Sequence, residues 1–326
     1  MRRFLLFLLG LVLGVILSVA GFRIAAALRE TEPLEAVLPA EGRLVQTDVG
    51  ALFVQEAGPP DGPVLLFLHG TAAWSGLWRP VLDEMADRGY RAIALDMPPF
   101  GFSQRDPAGR YDRPRQAEVV LALTRALDIR PVLVAHSFGA GPGVEAAMRA
   151  PEAFAGLVVV NGALGIGAGP GALPLPLRSD WLRQLGIAST ASNPLMTRRL
   201  LASFLYVRSA ATEEVAAVLQ RPLVRQGSTA AYADWLPALL TAAPDAISHN
   251  ADAYAGLCRL PTAFLWGQMD SVTPLTQGRQ AAALVPGAAL IVIGNVGHIP
   301  QIEAPEAFLS ALQLGLDRIK TGGPAC

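Results

Sequence analysis

The first stretch of the chain, MRRFLLFLLGLVLGVILSVAGF, carries no charge from Phe4 to Phe22 and leaves no helical face polar. At about 1.5 Å of rise per residue such a run nearly crosses a hydrocarbon core, so it predicts an encounter with a membrane. Two forms of that encounter stay open. Arg2 and Arg3, the apolar run and Ser18-Val19-Ala20 fit a secretory signal with a small-residue cleavage site, whereas the full run ending at Arg23 fits an uncleaved single-pass anchor over residues 1–29. The run is longer than the usual signal core of about 7 to 15 residues, which favours the anchor. Either form puts the body outside the cytoplasm, anchored to the membrane if the segment is kept and periplasmic or secreted if it is cleaved. Arg2, Arg3 and the α-amine favour an inside N-terminus, while Arg23 and Arg29 on the other flank weaken that bias.

Beyond residue 29 the pattern changes. Residues 30–42, ETEPLEAVLPAEG, mix Pro and acids without a period and read as a linker. RLVQTDVGALFVQEAG reads as a hairpin turning at Asp48-Val49-Gly50. Short apolar runs (VLLFLHG, RAIALD, PVLVAH, GLVVVNG) then alternate with segments of helical spacing (GLWRPVLDEMADRG, PRQAEVVLALTRALD), which predicts βαβ units and a mostly parallel, doubly wound α/β sheet. The alternation stops over residues 163–256, where SDWLRQLG, NPLMTRRLLASFLY, EEVAAVLQ and AYADWLPALL are helical in pattern and no strand is evident. LPTAFLWG and AALIVIG restore strands, and APEAFLSALQLGLDRI closes with a helix. The expected organisation is one α/β domain, residues 43–162 and 257–320, interrupted by a helical cap, with 321–326 as a tail.

Charge and cysteine content narrow the function. Lys and Arg total 26 against 27 Asp and Glu, scattered rather than striped, which sets nucleic acids aside as partners. Cys258 and Cys326 have no ligand-like spacing and are too few for a stapled framework, which argues against both a structural zinc and a disulfide scaffold and leaves the redox compartment open. No metal-binding spacing occurs, so neither metal nor cofactor is expected. GALGIGAGPG, residues 162–171, misses the dinucleotide spacing at Pro170 and reads as a hinge into the cap.

In PVLVAHSFGAGPG, Ser137 sits at the end of an apolar strand with Ala135 two residues before it and Gly139 two after. Small-x-Ser-x-small between strand and helix is the nucleophile-elbow pattern, whose turn leaves no room for bulk. A local alternative is a serine that merely caps the next helix. A nucleophilic serine needs a base and an orienting acid on other strand ends. His298 in IGNVGHIPQIEAPEAF, after the last strand, fits the base; Asp270 in FLWGQMDSVTP fits the acid. Asn161, after the strand LVVVNG, could not carry the negative charge.

FLHGTAAW, LDMPPFGFS, AHSFGA, WGQMD and GHIPQIEAPEAF, in this order, resemble the α/β-hydrolase family in its branch with a helical cap after the sixth strand, over most of residues 43–320. The family's order of serine, acid and histidine is met by Ser137, Asp270 and His298. The resemblance implies an oxyanion hole from the backbone N–H groups of Thr71 and Phe138. It departs from the family at Pro99, where Gly is more usual, and at Thr71. A serine separates this chain from the dehalogenase and epoxide-hydrolase branches, which attack with a carboxylate. The implied activity is hydrolysis of an ester or related acyl bond of a small apolar molecule, with Trp181, Phe204, Tyr232 and Trp235 of the cap as substrate-binding residues. An acyltransferase or cofactor-free haloperoxidase using the same triad, or a non-catalytic binding member, would share these features. The sequence says nothing of oligomeric state.

Overall fold

Eight strands form one sheet in the computed structural model, which describes residues 2–169, 171–322 and 326. β1 (Gly42–Thr47) and β2 (Gly50–Ala57) make the expected hairpin; β3 (Val64–Leu68), β4 (Arg91–Leu95), β5 (Val132–His136), β6 (Gly156–Val160), β7 (Thr262–Gly267) and β8 (Ala289–Ile293) follow. Their spatial order is β1-β2-β4-β3-β5-β6-β7-β8, and every neighbouring pair from β4 to β8 is parallel. The sheet is therefore mostly parallel and wound both ways from β3, with helices on both faces.

The helices are α1 (Arg2–Arg29), α2 (Leu34–Val37), α3 (Arg79–Asp87), α4 (Arg113–Leu127), α5 (Ala140–Arg149), α6 (Asp180–Ser189), α7 (Pro194–Phe204), α8 (Glu213–Gln220), α9 (Ser228–Leu240), α10 (Leu275–Leu284), α11 (Pro300–Glu303) and α12 (Pro305–Thr321). Alternate strand residues serve two cores. Leu66, Leu68, Ile93, Leu133, Leu157 and Phe264 face α4, α5 and α10, while Leu65, Phe67, Ala94, Val134, Val158 and Leu265 face α3 and α12. Burial on both faces explains why these strands read as unbroken apolar runs.

α6 to α9 form the insert expected between β6 and β7. Its far boundary differs from the expectation: residues 247–259 form 3-10 turns whose Tyr254, Leu257 and Cys258 are buried, Tyr254 and Leu257 in the main sheet core. The insert thus ends near residue 246 rather than 256. Residues 30–42 are not a free linker either. Glu32 forms a bridge with Arg225, and Leu34, Val37 and Leu38 pack around Phe53, Trp74 and Phe102. Pro170, at the hinge, lies outside the described residues. Cys258 and Cys326, from which no disulfide scaffold was expected, form one bridge across a sequence separation of 68.

α1 is apolar over a length able to cross a membrane. Its side chains are exposed from Leu13 to Ser18; from Val19 onward they begin to meet the body, and Ala26 is fully buried against it.

Candidate active site

Ser137 follows β5 directly, with φ +51°. That left-handed conformation is strained for a residue with a Cβ, and it is what lifts the hydroxyl above the sheet edge. The turn has no spare room. A Cβ on Gly139 would lie 2.6 Å from the His69 carbonyl, and one on Gly143 would lie 2.9 Å from the Ala135 methyl. The small residues flanking Ser137 are thus required by contact with β3, its following loop and α5.

The other two predicted groups arrive from the loops after β7 and β8. Ser137 Oγ lies 2.7 Å from His298 Nε2, and His298 Nδ1 lies 2.9 Å from Asp270 Oδ2. All three residues are buried. Burial alone would raise the Asp270 pKa, but hydrogen bonds from His298, Asn161 and Thr273 outweigh it and hold the carboxyl below its usual range. An ionised Asp270 accepts a proton-bearing Nδ1, so Nε2 presents its lone pair to the serine hydroxyl.

Asp270 is itself held by a small cage. Its Oδ1 accepts from the backbone N–H of Val272 and Thr273 at 2.8 and 2.9 Å, and its Oδ2 accepts from Thr273 Oγ1 at 2.7 Å and Asn161 Nδ2 at 2.5 Å. Asn161, weighed above only as a possible acid, is instead a neutral donor at the end of β6, bent to φ +45°. Glu303 of α11 is a second polar group that sequence reasoning missed. Its carboxylate accepts from Gly297 and Ile299 on either side of His298, and from Tyr206 and Val207 of the insert. It fastens the histidine loop to the helical block. A Cβ on Gly297 would lie 2.6 Å from Tyr206 N, so this junction also demands glycine.

Two further histidines brace the site without facing solvent. His136 Nε2 donates to the His298 carbonyl at 2.9 Å, and burial pushes its pKa down to about 3. His69 Nδ1 donates to Gly70 O at 2.8 Å while Nε2 accepts from Met97 N at 2.9 Å; burial pushes its pKa down to about 4. His69 thereby pins the loop that carries Thr71. Gly70 crosses close over the nucleophile, since a Cβ there would lie 3.0 Å from that of Ser137. Phe138 is the second residue of the 3-10 turn Ser137–Gly139, where N–H groups have no partner within the turn.

Above the three residues lies a cavity of about 360 Å3, lined by Gly70, Thr71, Ser137 and His298 below and by Leu200, Leu201, Phe204, Leu219, Leu223 and Leu239 of the insert. Among the described residues lining it there is no Lys, Arg, Asp or Glu. No cluster of metal-ligating side chains occurs among the described residues. Of the four aromatic residues expected to bind substrate, Phe204 lines this cavity. Tyr232 and Trp235 do not; they are buried beside it with Phe100, and Trp235 sits 5.1 Å from the Phe138 ring, backing the nucleophile turn. Trp181 is displaced entirely, 63% exposed on the outside of α6.

A mostly parallel eight-stranded sheet with a strained serine after its fifth strand defines the class of α/β hydrolases. A family model described as alpha/beta hydrolase fold matches residues 63–305, and the chain belongs to that family. It is 31% identical over 255 residues to 2-hydroxymuconate semialdehyde hydrolase of Pseudomonas sp. (strain CF600), covering 76% of this chain and 84% of the relative. It is 30% identical over 267 residues to 2-hydroxy-6-oxo-2,4-heptadienoate hydrolase of a Pseudomonas putida strain, covering 80% and 88%. Among solved structures, a membrane phospholipase A superposes with a TM-score of 0.64 at 26% identity over 99% of this chain and 100% of that one. A thermophilic esterase from Thermogutta terrifontis superposes at 0.68 with 20% identity, covering 86% of this chain and 100% of that one, a likeness of fold. The chain is a hydrolase.

Proposed function

We propose that this protein is a serine hydrolase that cleaves esters with an apolar acyl chain, tethered by α1 with its body outside the cytoplasm. The observation that carries the reading is the continuous Asp270–His298–Ser137 chain at the floor of an uncharged, leucine-lined cavity. Ser137 Oγ passes its proton to His298 Nε2 and bonds to the acyl carbon; the N–H groups of Thr71 and Phe138 receive the carbonyl oxygen as it becomes negative. Collapse breaks the ester bond, and the leaving alkoxide takes the proton from His298. Water, deprotonated by the same nitrogen, then splits the acyl-enzyme and regenerates the serine.

The closest reading in competition is hydrolysis of an unsaturated oxo acid, the kind of compound that the names of the Pseudomonas relatives give. Such a carboxylate would find no cation among the described lining residues, whereas a hydrocarbon chain gains from burial there. The tether is supported by the length of α1, and the location by the Cys258–Cys326 bridge, since disulfides persist in oxidising compartments.

The test pairs a fluorophosphonate label with p-nitrophenyl esters of rising chain length. Labelling should vanish in Ser137→Ala, and turnover of the preferred ester should fall at least about 10,000-fold. Equal labelling of both proteins would sink the site assignment. Labelling without hydrolysis of any ester would move the substrate to another carbonyl class.

A further inference from the structure

The directions in which three helices run put one end of the insert at the level of the membrane. Arg23 of α1 reaches Gln184 of α6 at 2.9 Å, and Arg29 reaches the carbonyl of Ser192 at 2.7 Å, so α1 and α6 run parallel. Arg183 of α6 reaches Ala233 O at 2.9 Å, and Ser192 Oγ meets Thr229 Oγ1 at 2.6 Å, so α9 runs antiparallel to both. The start of α6 and the end of α9 therefore point the same way, back along α1 toward its exposed apolar stretch. Trp181 shares a helix side with Gln184, three residues on, and by the parallel register stands level with Ala20.

Ala20 lies inside the uncharged run from Phe4 to Phe22. That run at about 1.5 Å per residue fills a hydrocarbon core of roughly 30 Å and no more, so its last turn marks the outer boundary of the lipid tails. The side chains at this end of the insert suit that boundary. Leu175 is 76% exposed in the turn preceding α6, Trp181 is 63% exposed, and Leu182, Leu239 and Leu240 are exposed with them. Leu239 also lines the cavity above Ser137, so one exposed side chain of this face reaches the cavity wall. Of the five tryptophans the other four are buried.

We propose that Leu175, Trp181, Leu182, Leu239 and Leu240 form a docking surface seated in the interfacial layer of the bilayer that α1 crosses, and that acyl chains enter the cavity from the lipid past Leu239. The occupant is lipid rather than a protein partner because the face is continuous with the span, at the height where aromatic and leucine side chains exchange water for the acyl boundary. The docking rests on the proposed tether by α1, and the route by which acyl chains enter rests in addition on the proposed esterase reading.

The experiment uses the full chain in vesicles of phosphatidylethanolamine and phosphatidylglycerol carrying bromine on the acyl chains. Bromolipid should quench part of the tryptophan emission, and Trp181→Phe should remove the quenchable part. In the double variant Leu175→Asp/Leu182→Asp, turnover of a long-chain p-nitrophenyl ester dissolved in the vesicles should drop about tenfold, while turnover of a short soluble ester in detergent stays unchanged. Quenching that is absent, or identical in Trp181→Phe, overturns the docking. So does disulfide pairing of Trp181→Cys between two copies without quenching, which would make the face a dimer contact. Vesicle turnover left intact by the double variant overturns the route of entry. Quenching as expected with no ester hydrolysed upholds the docking and rejects the esterase reading instead.

Discussion

The sheet and the insert bury their apolar residues under different constraints. A residue on a central strand has two places to point, both dry, and every alternate position on β3, β5 and β7 is filled accordingly. A residue on α6 to α9 has three: the insert's own core, the cavity, or the outside. Ile187 and Tyr232 share one small core, Leu200 and Phe204 face the cavity, and Trp181 faces outward. The sheet half therefore places Ser137, Asp270 and His298 at its strand ends with little freedom, and the insert supplies the leucine-lined wall of the cavity above them.

The largest effect on stability should come from acidification, and it should fall on the sheet half. His69 and His136 are buried and neutral, with pKa values pushed down to about 4 and about 3, whereas an unfolded histidine titrates near 6.5. As pH falls below about 6.5 the unfolded chain takes up these protons first, so stability is lost down through the folded values. Asp96 works in the opposite direction. Burial raises its carboxyl to about 6, so the folded state takes up that proton first and recovers stability as pH falls from 6 toward 4. Two losses against one gain leave roughly 3 kcal/mol lost between pH 7 and pH 4. Urea unfolding at the two pH values measures it. Stability that is flat or rises on acidification would mean that one of these imidazoles is charged in the folded protein.

That contrast also explains what could be read from residue order. The meeting of Ser137, Asp270 and His298 was legible because each occupies a strand end with a local signature, and because a nucleophilic serine would need both partners. The strand pattern was legible because burial on both faces writes itself as apolar runs. Asn161 and Glu303 were not: each is one polar residue whose partners lie on other loops, at distances set only by the folded sheet. The Cys258–Cys326 bridge was hidden by the same distance along the chain. Trp181, Tyr232 and Trp235 were misread because helical spacing identifies an apolar side chain without saying which of three surroundings it meets.

Glu303 joins the two regions, and it should show an intermediate effect. Its carboxylate accepts from amides flanking His298 and from amides of the insert, and charge-assisted bonds of this kind contribute about 1.5–3 kcal/mol each. Glu303→Gln keeps the shape but removes the charge and replaces one accepting oxygen with an NH2 group that cannot accept, so at least about 2 kcal/mol of stability should be lost, with turnover falling more than about tenfold as the His298 loop loosens. Denaturation and kcat for a soluble ester report the two effects. Loss of stability with kcat intact would confine Glu303 to holding the insert in place.

The smallest effect separates the inside of the insert from its outside. Leu200 lines the cavity, and Leu200→Trp adds bulk where an acyl chain would lie, while the triad is untouched. One or two methylenes lost from an apolar pocket are worth about 1–3 kcal/mol, so kcat/KM for a dodecanoate ester should fall about tenfold while that for a butyrate ester holds. Trp181→Ala, on the same block but facing outward, should leave the ratio of the two substrates unchanged in detergent. Equal losses for both chain lengths in Leu200→Trp would mean that the substitution disturbs the fold rather than the pocket. A changed ratio in Trp181→Ala would return that ring to the substrate site and erase the distinction between the two faces of the insert.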